Sequence, residues 1–142
     1  MTLSLESAAT EFIAASGIRF AYRRLGTREG TPLICLQHFT GNIDSWDPAV
    51  VNGLAASRPV IVFNNAGVGK SSGKTPDNVA QMATDAGQFI AALGLAKVDL
   101  LGYSLGGFVA QELAVKNPGL VRKMILVGSL PPRPAKLQAA RS

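Results

Sequence analysis

The chain has 142 residues, 47% of them apolar and 16% charged, with a formal net charge of +5. This amounts to about one domain with apolar material for a real core, which excludes a disordered chain. Lysines and arginines come singly or in pairs such as Arg23-Arg24 without interleaved aromatics, no apolar run approaches the ~18 residues of a membrane span, and residues 1–6 lack the pattern of a secretory signal, so neither nucleic acid nor membrane is an expected partner.

Residues 11–15 and 18–23 flank Ser16-Gly17, and the alternation in the second run predicts an antiparallel hairpin at a sheet edge. Pro32-Leu33-Ile34-Cys35-Leu36 is a continuous apolar run, as a strand covered on both faces requires, and it ends in the polar loop 37–42. Cys35 is the only cysteine, so it forms no internal disulfide and reads as a small core residue; the cytoplasm is the expected compartment. Asp47-Pro48 opens a helix to about residue 56, with Asp47 as cap and proline at its first position. Pro59-Val60-Ile61-Val62-Phe63 is another buried strand, leading into loop 64–73.

Val79, Met82, Ala86, Phe89, Ile90 and Leu93 recur at helical spacing and predict a helix over 78–93, stopped by Gly94. Val98-Asp99-Leu100-Leu101 then runs into Gly102-Tyr103-Ser104-Leu105-Gly106-Gly107 and a helix that ends at Asn117-Pro118-Gly119. Met124-Ile125-Leu126-Val127 reads as the last strand. Strands alternating with helices after a hairpin predict an α/β fold with a mostly parallel, doubly wound sheet. Residues 1–129 form that unit, and 130–142, with three prolines and no periodic pattern, form a tail.

Ligands of such sheets bind at the carboxyl ends of the strands, which brings forward loops 37–42, 64–73 and 102–107. A serine in a sharp strand-to-helix turn is held in a strained conformation with its hydroxyl exposed, and the crowding there requires Gly102 and Gly106 as supports. Ser104 is therefore the candidate nucleophile. Attack on a carbonyl creates an oxyanion that needs two fixed N–H donors, for which the backbone of Leu105 and of Phe39 are the candidates. Loop 64–73 offers a rival: Gly69-Lys70-Ser71 matches the end of a phosphate-binding loop, although Asn64 replaces its first glycine and no helix signal follows directly.

The segments Leu36-Gln37-His38-Phe39-Thr40-Gly41-Asn42, Phe63-Asn64-Asn65-Ala66-Gly67 and Gly102-Tyr103-Ser104-Leu105-Gly106-Gly107, in this order, resemble the oxyanion loop, fourth-strand loop and nucleophile elbow of the α/β-hydrolase family, nearest its haloperoxidase-like and esterase-like members. The resemblance covers residues 11–129 and implies serine hydrolysis of a small-molecule ester or related acyl substrate, with no cofactor; a single histidine and a single cysteine leave no material for a histidine-based metal site, so no metal is expected. It also implies a catalytic acid and histidine after further strands and a cap that would begin within 130–142, so the chain is expected to be a truncated N-terminal part of the core. The only histidine is His38, and none follows Ser104. A serine without a base loses several orders of magnitude in rate, and little turnover is expected from the chain alone.

Two other function classes remain at this stage. One is a non-catalytic module that forms a homo-oligomer or pairs with a complementing C-terminal segment through the edge of its last strand. The other is a nucleotide binder at residues 64–71.

Overall fold

The computed structural model describes residues 3–38 and 40–128. Six strands form one sheet in the order β1-β2-β4-β3-β5-β6. β1 (Glu11–Ala15) and β2 (Ile18–Leu25) form the expected edge hairpin, turning through Ser16 and Gly17 at positive φ. β2 pairs antiparallel with β4 (Val60–Phe63), and β4, β3 (Leu33–Leu36), β5 (Val98–Tyr103) and β6 (Val121–Val127) run parallel.

Among the described residues three α-helices lie between these strands. In α1 (Pro48–Ala55), Oδ1 of Asp47 accepts from the Ala49 N–H at 2.9 Å. In α2 (Val79–Ala92), Oδ1 of Asn78 accepts from Gln81 N–H at 2.8 Å, and Gly94 follows at φ 75°. α3 (Leu105–Lys116) starts immediately after Ser104. Each cap satisfies a helix-end N–H that has no intrahelical partner.

Strand alternation sorts the core into two layers. Ile34, Ile61 and Leu100 face α2 and α3, where the Phe63 and Phe89 rings stack at 4.4 Å. Leu33, Cys35, Val60 and Val62 face the opposite side and pack with Val51 and Ala55 of α1. Burying each large side chain contributes about 2 kcal/mol, and the single-helix layer is the thinner one.

Two local features differ from expectation. β6 begins at Val121 and not at residue 124, because Val121 pairs with Val98 before a bulge sets Leu100 against Met124. Arg122 and Lys123 thus fall opposite Asp99, whose carboxylate accepts from Arg122 Nε at 3.0 Å, Arg122 Nη2 at 2.7 Å and the Lys123 N–H at 3.0 Å. A 3-10 turn at Ile43–Ser45 was also not anticipated; Ser45 Oγ accepts from Asn42 N–H and donates to Asn42 Oδ1.

Candidate functional site

β5 ends on the expected turn. Ser104 has φ 55° and ψ −122°, and among the described non-glycine residues only Ser16, in the hairpin turn, shares a positive φ. A side-chain-bearing residue pays for such a conformation and keeps it only where surrounding structure enforces it. Enforcement here comes from both sides: the Ser104 N–H donates to the Val127 carbonyl at 2.9 Å, and the Ser104 carbonyl accepts from Gly107 N–H at 2.9 Å. The first bond ties the turn to the end of β6, the second to the first turn of α3.

Both supporting glycines are sterically required, though not wholly against each other. A Cβ on Gly102 would lie 2.5 Å from Gly107 Cα and 2.7 Å from the Gly106 carbonyl oxygen. A Cβ on Gly106 would lie 2.1 Å from the carbonyl oxygen of Leu36. Gly106 therefore lets α3 approach the end of β3, where loop 37–42 departs. The β3–β5 register sets Leu36 beside Gly102, so this loop and Ser104 share one end of the sheet. Leu105 is the first residue of α3, and its N–H is one of those a helix leaves without an intrahelical acceptor. The positive end of the helix dipole lies at the same place.

Phe39 lies outside the described residues. The loop on both sides of it is pinned by side chains that the sequence reading had not assigned to it. Asn65 Nδ2 donates to the His38 carbonyl at 3.2 Å, and Asn64 Oδ1, on a buried side chain, accepts from Ile43 N–H at 2.8 Å. Gln37 Oε1 accepts from His38 N–H at 3.3 Å and occupies the space that a Cβ on Gly41 would need. The available signal was a pair of amides directly after a buried strand.

Loop 64–73 corrects the phosphate-loop expectation. Ser71 is buried, where its hydroxyl donates to the Asn64 carbonyl at 2.8 Å and accepts from Ala21 N–H at 2.9 Å. The Gly67 N–H donates to the Ser72 carbonyl at 2.9 Å, and the next helix waits until Val79. The serine that would serve a metal–phosphate complex is spent on the fold, and the helix N-terminus that would face phosphates is elsewhere.

Beside the turn, on the α1 face, a cavity of about 570 Å³ is lined by Trp46, Val50, Leu54, Tyr103, Ile125 and Val127, among others. The Trp46 and Tyr103 rings lie 6.2 Å apart, and Trp46 Nε1 is buried without a hydrogen-bond partner. Cys35 lies deeper in the same layer, and burial pushes its thiol up to about 12. No helix among the described residues is long and apolar enough to cross a membrane.

Comparison with known proteins identifies the fold family. The family model described as "alpha/beta hydrolase fold" matches residues 31–141. RutD of Azorhizobium caulinodans, named for a proposed carbamate hydrolase activity, is 31% identical over 99 residues, covering 69% of this chain and 37% of that protein. Among solved structures, an alpha/beta hydrolase fold protein from Chitinophaga pinensis superposes with a TM-score of 0.87 at 52% identity, over 90% of this chain and 46% of that one. The esterase RhEst1 from a Rhodococcus species gives 0.72 at 30% identity, over 87% and 46%. The chain thus spans less than half the length of each of these three proteins.

Proposed function

This chain belongs to the alpha/beta hydrolase fold family, and on that premise we propose that it serves serine hydrolysis of an ester or related acyl substrate, with Ser104 as the nucleophile. The observation that carries the reading is the backbone of Ser104: a positive φ, at the carboxyl end of β5 and on the N-terminus of α3, between two glycines that admit no Cβ. The esterase and carbamate-hydrolase names among the similar proteins support an acyl substrate.

In this mechanism Ser104 Oγ attacks the acyl carbon as its proton passes to a base, and the carbonyl oxygen becomes an oxyanion. The Leu105 N–H receives that charge, helped by the α3 dipole, and the Phe39 N–H is the second donor. Collapse breaks the acyl–oxygen bond, the alcohol leaves with a proton, and water then cleaves the acyl-serine to release the acid. Proton transfer requires an imidazole or equivalent. The only histidine of the 142 residues is His38, which precedes the turn. The reading therefore assigns to this chain the nucleophile and oxyanion part of the site, with slow turnover by these residues alone.

Incubation with a fluorophosphonate followed by peptide mass analysis tests the assignment. One adduct on Ser104, absent from Ser104→Ala, is expected. An adduct confined to another residue, or none after prolonged exposure at high probe concentration, overturns it. Rapid labelling together with ester turnover at the rate of the Chitinophaga protein would instead overturn the expectation of slow turnover.

A further inference from the structure

Asn64, directly after β4, is only 6% exposed, and the two ends of its amide have unequal surroundings. Oδ1 accepts from the Ile43 N–H at 2.8 Å, which fixes the orientation of the amide, while Nδ2 has no acceptor among the described residues. A Cβ on Gly69 would lie 2.6 Å from that Nδ2, so the glycine leaves the nitrogen uncovered. Asn64 and Gly69 both line a cavity of about 290 Å³, together with Thr10, Arg23, Asn42 and Lys70. A buried amide nitrogen without an acceptor is costly unless a water or a ligand meets it.

The other groups around this cavity are mostly donors as well. Arg23, on β2, donates from Nε to Thr10 Oγ1 at 3.0 Å and from Nη1 to the Leu5 carbonyl at 3.0 Å, bonds that hold the guanidinium and leave Nη2 without a partner among the described residues. Lys70 makes no ion pair or hydrogen bond among them either. Asn42 accepts from Ser45 Oγ through Oδ1, so its Nδ2 is also unpaired among the described residues. The acid in the lining is Asp44, whose side chain is 78% exposed and whose Oδ1 lies 3.5 Å from Arg23 Nη1. An ion pair so exposed is weak and does not close the site.

We infer that this cavity is a binding site for a small monocarboxylate, whose oxygens accept from the Nδ2 groups of Asn64 and Asn42 between the charges of Arg23 and Lys70. Charge-assisted hydrogen bonds of this kind are the strong ones. Two cations against one carboxylate leave a single positive charge, which one negative charge balances. A phosphate group brings about −1.5 to −2 at pH 7, and the surplus would face Asp44. The volume holds a small organic acid with a few waters, each taking roughly 30 Å³. Such a ligand joins β2, the Ile43–Ser45 turn and the loop after β4, three elements that meet at Asn64. Binding here does not depend on the chemistry of Ser104, and β3 and β5 separate the site from β6.

Acetate titrated into the 15N-labelled chain at pH 7, with chloride exchanged to hold ionic strength constant, tests the site through the side-chain amide resonances of Asn64 and Asn42. Saturable shifts of both are expected, with a dissociation constant of about 1 mM for so small a ligand and a melting temperature that rises with acetate. Lys70→Gln should weaken binding about tenfold. Asn64→Asp keeps an acceptor for the Ile43 N–H but sets a negative charge in place of the Nδ2 donor, and should abolish binding. Lys70 is exposed, so its variant folds and decides the matter even where Asn64→Asp unfolds. Lys74→Gln, at an exposed site outside the cavity, should bind as the parent does. Shifts that stay linear to about 100 mM, affinity unchanged in Lys70→Gln, or phosphate binding more tightly than acetate would each overturn the proposal.

Discussion

Gly106 in α3 and the carbonyl of Leu36 in β3 are in such close approach that a Cβ on the glycine would lie 2.1 Å from the oxygen. Neither partner can yield easily, since one opens the helix behind Ser104 and the other closes a buried strand. Gly106→Ala is therefore expected to lower stability by about 2 kcal/mol through overpacking and to slow phosphonate labelling of Ser104 as α3 moves off β3. Gly53→Ala is the matched control. Its Cβ would meet nothing within 4 Å, so replacing a helix-interior glycine should raise stability by about 1 kcal/mol and leave labelling unchanged. Denaturant midpoints and labelling rates measured on both variants check the pair, and equal effects would refute the steric reading.

At the opposite end of β5, Asp99 joins β6 and the segment before β4 through one carboxylate. Arg122 donates to it from the bulge, and Arg58 Nη2 donates at 2.7 Å while also bonding the Thr31 carbonyl. The Arg122 hydrogen bonds, with those of Arg58, hold the Asp99 carboxyl at about 2, below its ordinary 3.8, against the opposing effect of burial. A depressed carboxylate stabilises the fold fully above its unfolded pKa and loses that contribution as pH falls through the folded one. Stability should thus drop between about pH 4 and pH 2, and Asp99→Asn should cost about 2 kcal/mol at pH 7 and flatten that part of the curve. Urea melts from pH 2.5 to 7 decide it; parallel curves for parent and variant would exclude Asp99 as the titrating group.

Cys35 has no exposed surface, and burial holds its thiol near 12, so at pH 8 it carries almost no thiolate, the reactive form. The native chain should be inert to a thiol-exchange reagent for hours and release one equivalent once unfolded in urea. Below the unfolding midpoint, the labelling rate should follow opening of the α1 layer. Modification of the folded chain within minutes would show that this layer opens far more readily than its packing suggests.

What the sequence could reveal followed the range of the interactions involved. The β1–β2 hairpin, the Asp47 cap and the Gly102–Gly106 spacing rest on neighbours a few residues apart, and all were legible. The start of β6 was not, because Arg122-Lys123 reads as polar loop until Asp99, 23 residues earlier in the chain, is known to receive Arg122. The partner of Gly106 was missed for the same reason: Leu36 comes alongside only when β3 lies next to β5. The bracing role of Asn64 and Asn65 was missed likewise, because it needed the adjacency of β3 and β4.

That role leads to the last expectation. Asn64 is buried, and its Oδ1 is the acceptor that the Ile43 N–H finds at 2.8 Å, while its backbone carbonyl receives the Ser71 hydroxyl. Asn64→Leu keeps much of the volume and removes the acceptor, leaving a buried N–H unpaired at a cost of about 1–3 kcal/mol. Asn64→Asp retains an acceptor oxygen. If loop 37–42 carries the second oxyanion donor, Asn64→Leu should slow phosphonate labelling of Ser104 by more than its stability loss explains, measured at a temperature where both variants are fully folded, and Asn64→Asp should recover part of the rate. Labelling unchanged in Asn64→Leu would separate this loop from the reaction and leave the asparagine a purely structural brace.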